Sequence, residues 1–305
     1  SIVGLPVSAF HRRLSWKNLI FPFKLAVSLL MARRIIRQNK PVLVIGTGGF
    51  ASGPLLKAAS RQGVPTLVQE QNAFPGVTNR LLARKALKIC VAHSGMETWF
   101  PSEKLVLTGN PVRKDLVDMD SKRPEALEYY KLHHDKKVAL LFGGSLGALS
   151  LNEALAVKLD DIEKMDIQLI WQTGPGYYEK AKNLIAEKGM QKVHVFAFLD
   201  RMDLAYAAAD VVLCRAGAIT LSELALAAKP CILVPYPAAA GNHQMKNAVA
   251  FRDQQAAWVL ENDKAKEQLI NELKRLLEDS TAQKIMKENL AMLAKPQAGE
   301  QIAKI

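Results

Sequence analysis

CRAGAITLSELALAAKPCILVPYP, residues 214–237, reads as the end of a strand, a turn of small residues, an apolar helix and a second strand. The strand entering it, DVVLC, and the strand leaving it, CILVP, are apolar throughout and rich in β-branched residues. Strands with no polar alternation are covered on both faces, as in a parallel sheet flanked by helices. One residue is out of keeping with this pattern. Glu223 is the only carboxylate in the stretch. It stands three residues after Thr220, the spacing of a capping box in which Thr220 would cap the helix and Glu223 would reach back to its N–H.

The same rhythm runs outward in both directions. PVLVIG leads to a helix expected from Pro54, PTLVQE and KICVAH follow, VALLFG leads to a helix from about Ala148, and IQLIWQTG and VHVFAF precede DVVLC, which leads to a helix from Thr220. This is a doubly wound α/β pattern, and its length suits two Rossmann-like domains. The rhythm breaks between Gly109 and Lys137, where Pro111 and Pro124 stand among dense charges. The expected organisation is a first domain over 1–112, a linker over 113–136, a second domain over 137–290, and a C-terminal helix over 291–305 returning to the first domain. Residues 245–305 read as terminal helices.

Composition narrows the function classes. Among 305 residues, 41 are basic and 29 acidic, a net charge of +12 that suits an anionic partner such as a phosphorylated ligand, nucleic acid or an acidic membrane surface. The three cysteines, Cys90, Cys214 and Cys231, lie in or at the edge of apolar runs, and an odd count so placed fits a reducing, cytoplasmic compartment. The opening residues, SIVGLPVSAFHRR, have neither signal-peptide order nor an initiator Met, so the chain reads as starting in mid-domain. Nothing has zinc-ligand spacing: His133 and His134 are adjacent, and Asp118 and Asp120, a D-x-D, fall in the charged linker without a strand to fix them. No metal and no cofactor is expected.

Two strand-to-helix turns carry glycines suited to phosphate: Gly48 and Gly49 in the first half, and Gly143, Gly144 and Gly147 in the second. Such a turn gathers backbone N–H groups and the positive end of a helix dipole at one point. Tight turning alone also explains them. Gly46, Gly48 and Ala51 fit G-x-G-x-x-A, with Glu70 near the spacing of a ribose ligand, so a nicotinamide-dependent oxidoreductase is one alternative. A nucleic-acid binder is another; it would leave the glycine turns unexplained and lacks an aromatic platform for bases.

Near the N-terminus, residues 14–40 set Trp16, Phe21 and Phe23 beside Lys17, Lys24, Arg33 and Arg34. The apolar run is too short to span a bilayer, yet it suits a segment lying on an anionic surface. A helix packed on the first sheet with a solvated basic end accounts for much of the same pattern.

Taken together, GTGGFASGP at 46–54, QEQNAFPGVTNRLLA at 69–83, TGNPVR at 108–113, GGSLGALSLNE at 143–153, CRAGAITLSE at 214–223 and GNHQMKNA at 241–248 resemble the MurG family of peripheral membrane glycosyltransferases. The resemblance extends over about the whole chain. It implies the GT-B fold, two Rossmann-like domains facing across a cleft, at the cytoplasmic face of the bacterial membrane. The implied reaction moves N-acetylglucosamine from UDP-N-acetylglucosamine to the C4 hydroxyl of undecaprenyl-diphospho-N-acetylmuramyl-pentapeptide, with inversion, converting lipid I to lipid II. It implies no nucleic-acid partner.

Carried over by motif, the donor contacts would be Asn72 and Gln244 to the sugar, Ser145 and Thr220 with the amides of Ala218 and Ile219 to the diphosphate, and the Leu199 backbone to uracil, with Arg113 also belonging to the donor site. Leu221 and Ser222, in the same helical turn, would also bind the donor, and Glu223 would hold the ribose hydroxyls. Two departures stand out. The chain has Gln69 where H-E-Q-N is the commoner form, leaving Glu70 as the ionisable group there, and it lacks the family's opening strand and G-G-T-G-G-H loop. That loop carries the favoured general base, so the catalytic residue is unassigned, and a chain of this extent is expected to be impaired. A non-catalytic UDP-sugar-binding and membrane-docking module that needs a partner is the remaining alternative.

Overall fold

The structure, a computed structural model, describes residues 2–7 and 17–305. It divides into two units, Ser1–Asn110 with Gln297–Ile305, and Pro111–Pro296.

In the first unit, α1 (Lys17–Asn39) is followed by β1 (Val44–Gly46), α2 (Gly49–Arg61), β2 (Thr66–Glu70), α3 (Val77–Ala83), β3 (Lys88–Val91) and β4 (Leu105–Leu107). The four strands form one parallel sheet in the order β1-β2-β3-β4. Ala32 and Ile36 of α1, Leu56 and Ala59 of α2, and Val68, Ile89 and Val91 of the sheet share one core. Helix α2 begins at Gly49, earlier than the expected start at Pro54, and Pro54 lies inside it. The strand β4 escaped the sequence pattern because it is three residues long and only half-buried.

The second unit opens with α4 (Met119–Tyr129), then β5 (Lys137–Phe142), α5 (Leu149–Ala156), α6 (Leu159–Lys164), β6 (Ile167–Gln172), α7 (Tyr178–Lys188), β7 (Val193–Phe196) and α8 (Met202–Ala208). It continues through β8 (Val211–Cys214), α9 (Ala218–Ala227), β9 (Cys231–Leu233), α10 (His243–Asp253), β10 (Trp258–Val259), α11 (Ala265–Glu278) and α12 (Ser280–Leu293). A last helix, α13 (Ala298–Ala303), falls in the first unit. The six strands are parallel, in the order β10-β9-β8-β5-β6-β7.

Period-two alternation assigns each strand to two cores. Val138, Leu140 and Phe142 of β5 face one cluster with Val212 and Cys214, while Ala139 and Leu141 face the other with Val211 and Leu213. A strand buried on both sides must be apolar at every position, which is why these runs show no polar register. Of residues 113–136, Leu116, Met119, Ala126, Leu127, Tyr130 and Leu132 belong to the first of these cores. The charged span that reads as a linker therefore contains a helix built into the second unit. The two-residue strand β10 interrupts the expected terminal helices, pairing Trp258 with Ile232 and Val259 with Leu233.

Candidate active site

The chain fills β5, β6 and β7 on one side of the second sheet, then returns to place β8 against the other edge of β5. Ligands of open α/β sheets bind beyond the strand C-termini at such a reversal. Here Phe142, the last residue of β5, is register partner to Cys214, the last of β8. The two turns that follow, 143–148 and 215–217, therefore start side by side.

Gly143 and Gly147 of the first turn leave no room for a side chain. A Cβ on Gly147 would sit 1.9 Å from the Thr173 carbonyl oxygen, and one on Gly143 would sit 2.3 Å from Ala148 Cβ. Gly144 and Gly147 also have φ of +95° and +78°, which side chains rarely adopt. Ser145 is exposed at the tip of the turn. Two residues that the sequence reading passed over hold the loop. Gln172 Nε2 donates to Gly144 O at 2.9 Å while its Oε1 accepts from Leu199 N at 3.1 Å. Asn152 Nδ2 donates to Thr173 O at 2.8 Å, and its Oδ1 accepts from Trp171 Nε1 at 3.0 Å. A buried Gln and a buried Asn in otherwise apolar segments were the available signal.

The second turn opens α9, and its start corrects the capping-box expectation. The N-cap is Gly217, in extended conformation, and no side chain caps the helix. Leu221 N donates to Gly217 O at 3.0 Å, so Thr220 lies inside the helix and Glu223 one turn further on. The amides of Ile219 and Thr220 precede that first intrahelical bond. Leu221 has nothing to offer a ligand, since its side chain is in the core and its amide is engaged. Ser222 Oγ donates to Ala218 O at 3.1 Å.

Glu223 faces Tyr206 and Arg113. Tyr206 Oη donates to Glu223 Oε2 at 3.2 Å, and Arg113 Nε lies 3.7 Å from Oε1. Burial raises its pKa above the ordinary glutamate value; Arg113 and the Tyr206 hydrogen bond pull it down, and Asp115 pushes it up. Gln244 Oε1 accepts from Tyr236 N at 2.8 Å. Arg215, 6% exposed, holds the turn from beneath. Nη1 donates to Val234 O and Asn262 Oδ1, both at 2.8 Å, and to Pro235 O at 3.2 Å, while Nη2 donates to Ser150 Oγ at 2.6 Å. All of these partners are neutral.

The remaining expected residues lie in the first unit. Gly48 and Gly49, with φ of +88° and +75°, start α2. Glu70 is buried and accepts from Asn72 N (3.0 Å), Asn72 Nδ2 (3.2 Å), Gly76 N (3.0 Å) and Asn79 Nδ2 (2.8 Å). A carboxylate so enclosed fixes the 71–79 loop and is closed to the ribose role that a dinucleotide fingerprint gives it. It is also a poor candidate for the catalytic base. His93, near it, has its pKa pushed down to about 4 by burial, with Glu70 acting the other way. Gln69 Nε2 donates to Asn110 Oδ1 at 2.8 Å.

Helix α1 divides in two. Ser28, Ala32 and Ile36 are buried, whereas Phe23 (73% exposed) and Leu30 (65%) stand out beside exposed Lys24, Arg33 and Arg34. Phe21 is half-buried. Trp16 lies outside the described residues, as does the Lys17 side chain. No described helix is long and apolar enough to cross a membrane.

Residues 1–91 match the glycosyltransferase family 28 N-terminal domain and residues 138–302 the family 28 C-terminal domain. The chain is similar to the UDP-N-acetylglucosamine–N-acetylmuramyl-(pentapeptide) pyrophosphoryl-undecaprenol N-acetylglucosamine transferase of Flavobacterium psychrophilum, 45% identical over 99% of this chain and 81% of that one. The enzyme of the same name from Parabacteroides distasonis is 47% identical over 99% and 82%. The crystal structure of Acinetobacter baumannii MurG superposes with a TM-score of 0.74 at 31% identity, covering 96% of this chain and 81% of that one. Two parallel-sheet α/β domains with these relatives define a glycosyltransferase of the GT-B kind. Within that class the chain belongs to glycosyltransferase family 28, in its MurG family.

Proposed function

We propose that the chain transfers N-acetylglucosamine from UDP-N-acetylglucosamine to the C4 hydroxyl of undecaprenyl-diphospho-N-acetylmuramyl-pentapeptide, the step from lipid I to lipid II. The acceptor oxygen forms a bond to the anomeric carbon as the bond from that carbon to the UDP oxygen breaks. The departing diphosphate takes the electron pair, and the hydroxyl proton passes to a base. Single displacement inverts the anomeric centre.

The observation that carries this reading is the pair of turns at the switch point. Ser145, the amides of Ile219 and Thr220, and the positive end of α9 can hold the diphosphate and stabilise the charge that grows on it. Glu223 accepts from the ribose hydroxyls, with Arg113 beside it. The Leu199 amide is already engaged by Gln172, so its carbonyl is the group left to accept from uracil N3–H. Gln244 is the sugar contact in the second unit. Four N–H donors already surround Glu70, which supports a loop-holding role there and leaves the base unassigned. Phe23, Leu30, Lys24, Arg33 and Arg34 suit adsorption to an anionic lipid surface at the cytoplasmic face.

The test is direct. UDP-N-acetylglucosamine should shift amide resonances at 143–148, 199 and 218–223, and NAD should not compete. Resonances that answer NAD and ignore the UDP-sugar would overturn the reading.

A further inference from the structure

Ser150 and Asn262, which hold Arg215, also line a hollow of about 610 Å3 in the second unit. Its apolar lining comes from Ala154, Ala156, Val157, Leu184 and Tyr177. Lys180 Nζ lies 5.1 Å from the centre of the Tyr177 ring. The first turns of α7 and α11 reach the hollow with Lys180 and Lys266, and Glu153 is the one acid in the lining. Each of these helix ends carries an acid in its first turn, Glu179 in α7 and Glu267 in α11, but neither lines the hollow, where each end presents a lysine. Arg215 adds a cation whose hydrogen-bond partners are all neutral.

One donor is idle at the polar wall. Asn262 Oδ1 accepts from both Ser150 Oγ, at 2.8 Å, and Arg215 Nη1. An arginine can only donate, so the amide orientation is fixed. Asn262 Nδ2 then has no partner among the described residues. An apolar floor, a positive rim and a free amide donor fit a small organic anion with an apolar body, such as an aryl carboxylate or sulfonate.

We propose that this hollow is a second ligand site for such an anion, and that its occupancy reaches the donor site. The relay is short. Ser150 and Asn262 grip Arg215, Arg215 holds the Val234 and Pro235 carbonyls, and the next residue, Tyr236, donates its amide to Gln244 Oε1. A ligand drawing on Ser150 shifts the anchor of the segment that holds Gln244. The hollow stands independently of the glycosyltransferase reading, because it lies outside the residues assigned to the donor.

The experiment uses the full chain, with backbone amide NMR during titration of naphthalene-2-sulfonate, 2-naphthol and inorganic sulfate. The sulfonate should give saturable shifts at 153–157, 184 and 266, extending to Tyr236 and Gln244, and should bind more tightly than either partial probe. Lys180→Glu with Lys266→Glu, both on exposed side chains, should weaken it about tenfold or more with the spectrum otherwise intact. Ser150→Ala should leave shifts in the hollow and remove those at Tyr236 and Gln244. Equal binding by 2-naphthol or by sulfate, unsaturable shifts, or indifference to charge reversal overturns the site. Tyr236 and Gln244 shifts that survive Ser150→Ala overturn the relay. UDP-N-acetylglucosamine titrated into the same samples reads the donor site separately, so failure there is distinguishable from failure here.

Discussion

Glu223→Gln removes a charge while keeping the length of the side chain and an oxygen that can still accept from Tyr206. What it loses in the free protein is small. The Arg113 side chain is 43% exposed and 3.7 Å away, a pairing worth about 0–1 kcal/mol. Against that stands the cost of burying the charge. Burial lifts the folded pKa of Glu223 above the unfolded value, so its contribution to stability is present at acidic pH and is lost as pH rises through the folded pKa. At neutral pH the ionised group is therefore a net burden, and glutamine relieves it. Melting temperature should hold or rise. Donor affinity should move the other way, because hydrogen bonds to a carboxylate exceed neutral ones by about 1–2 kcal/mol each. A loss of about 1–3 kcal/mol is about five- to 150-fold in Kd. Calorimetric titration with UDP and with 2′-deoxy-UDP separates ribose contact from a general effect. The wild type should discriminate between the two ligands, and the variant should discriminate much less. Wild-type affinity should also fall on acidification from a pH above the ordinary glutamate range, whereas the variant should stay flat. Unchanged UDP affinity combined with a lower melting temperature would refute the ribose role and make Glu223 a partner of Tyr206 and Arg113 alone.

Gly147→Ala forces a Cβ to 1.9 Å from the Thr173 carbonyl and should unfold the second unit or cost it several kcal/mol, whereas Gly144→Ala, with open space at its Cβ, should cost only about 1–2 kcal/mol of backbone strain; similar melting curves would contradict the interlocked turns. Lys229 is buried, donates to Ala209 O at 3.0 Å and has its pKa pushed down to about 8 by burial. Its folded pKa lies below the unfolded one, so between pH 8 and about 10.5 the unfolded chain binds the extra proton and stability rises with pH. Wild-type unfolding free energy should gain about 3 kcal/mol more than that of Lys229→Met across this window in denaturant titrations, and parallel curves would contradict it. The three cysteines are fully buried and burial raises each thiol pKa. A thiol-exchange reagent should label none in the native protein and all three in denaturant, with rapid native labelling of any one the contrary result.

The parallel sheets were legible because complete burial leaves an unbroken apolar run, as in KVALLF and DVVLC. The glycine turn after β5 was legible because Gly143 and Gly147 sit where a Cβ would clash with neighbouring backbone. What escaped was short or nonlocal: β4 and β10 are too brief for periodicity, and Gln172 and Asn152 acquire their roles from contacts with segments distant in sequence. The start of α9 shows the limit most clearly. T-L-S-E carries the local signature of a cap, but Leu221, Leu224 and Ala225 must all enter the core, and the close of β8 at Cys214 leaves only three residues before the helix. Packing therefore starts the helix at Ala218 and moves the cap to Gly217. Glu223, released from the role its spacing suggests, is left half-buried with its charge costing stability at neutral pH. The proposed ribose contact accounts for a carboxylate held that way, because ribose hydroxyls would add donors to those of Tyr206 and Arg113.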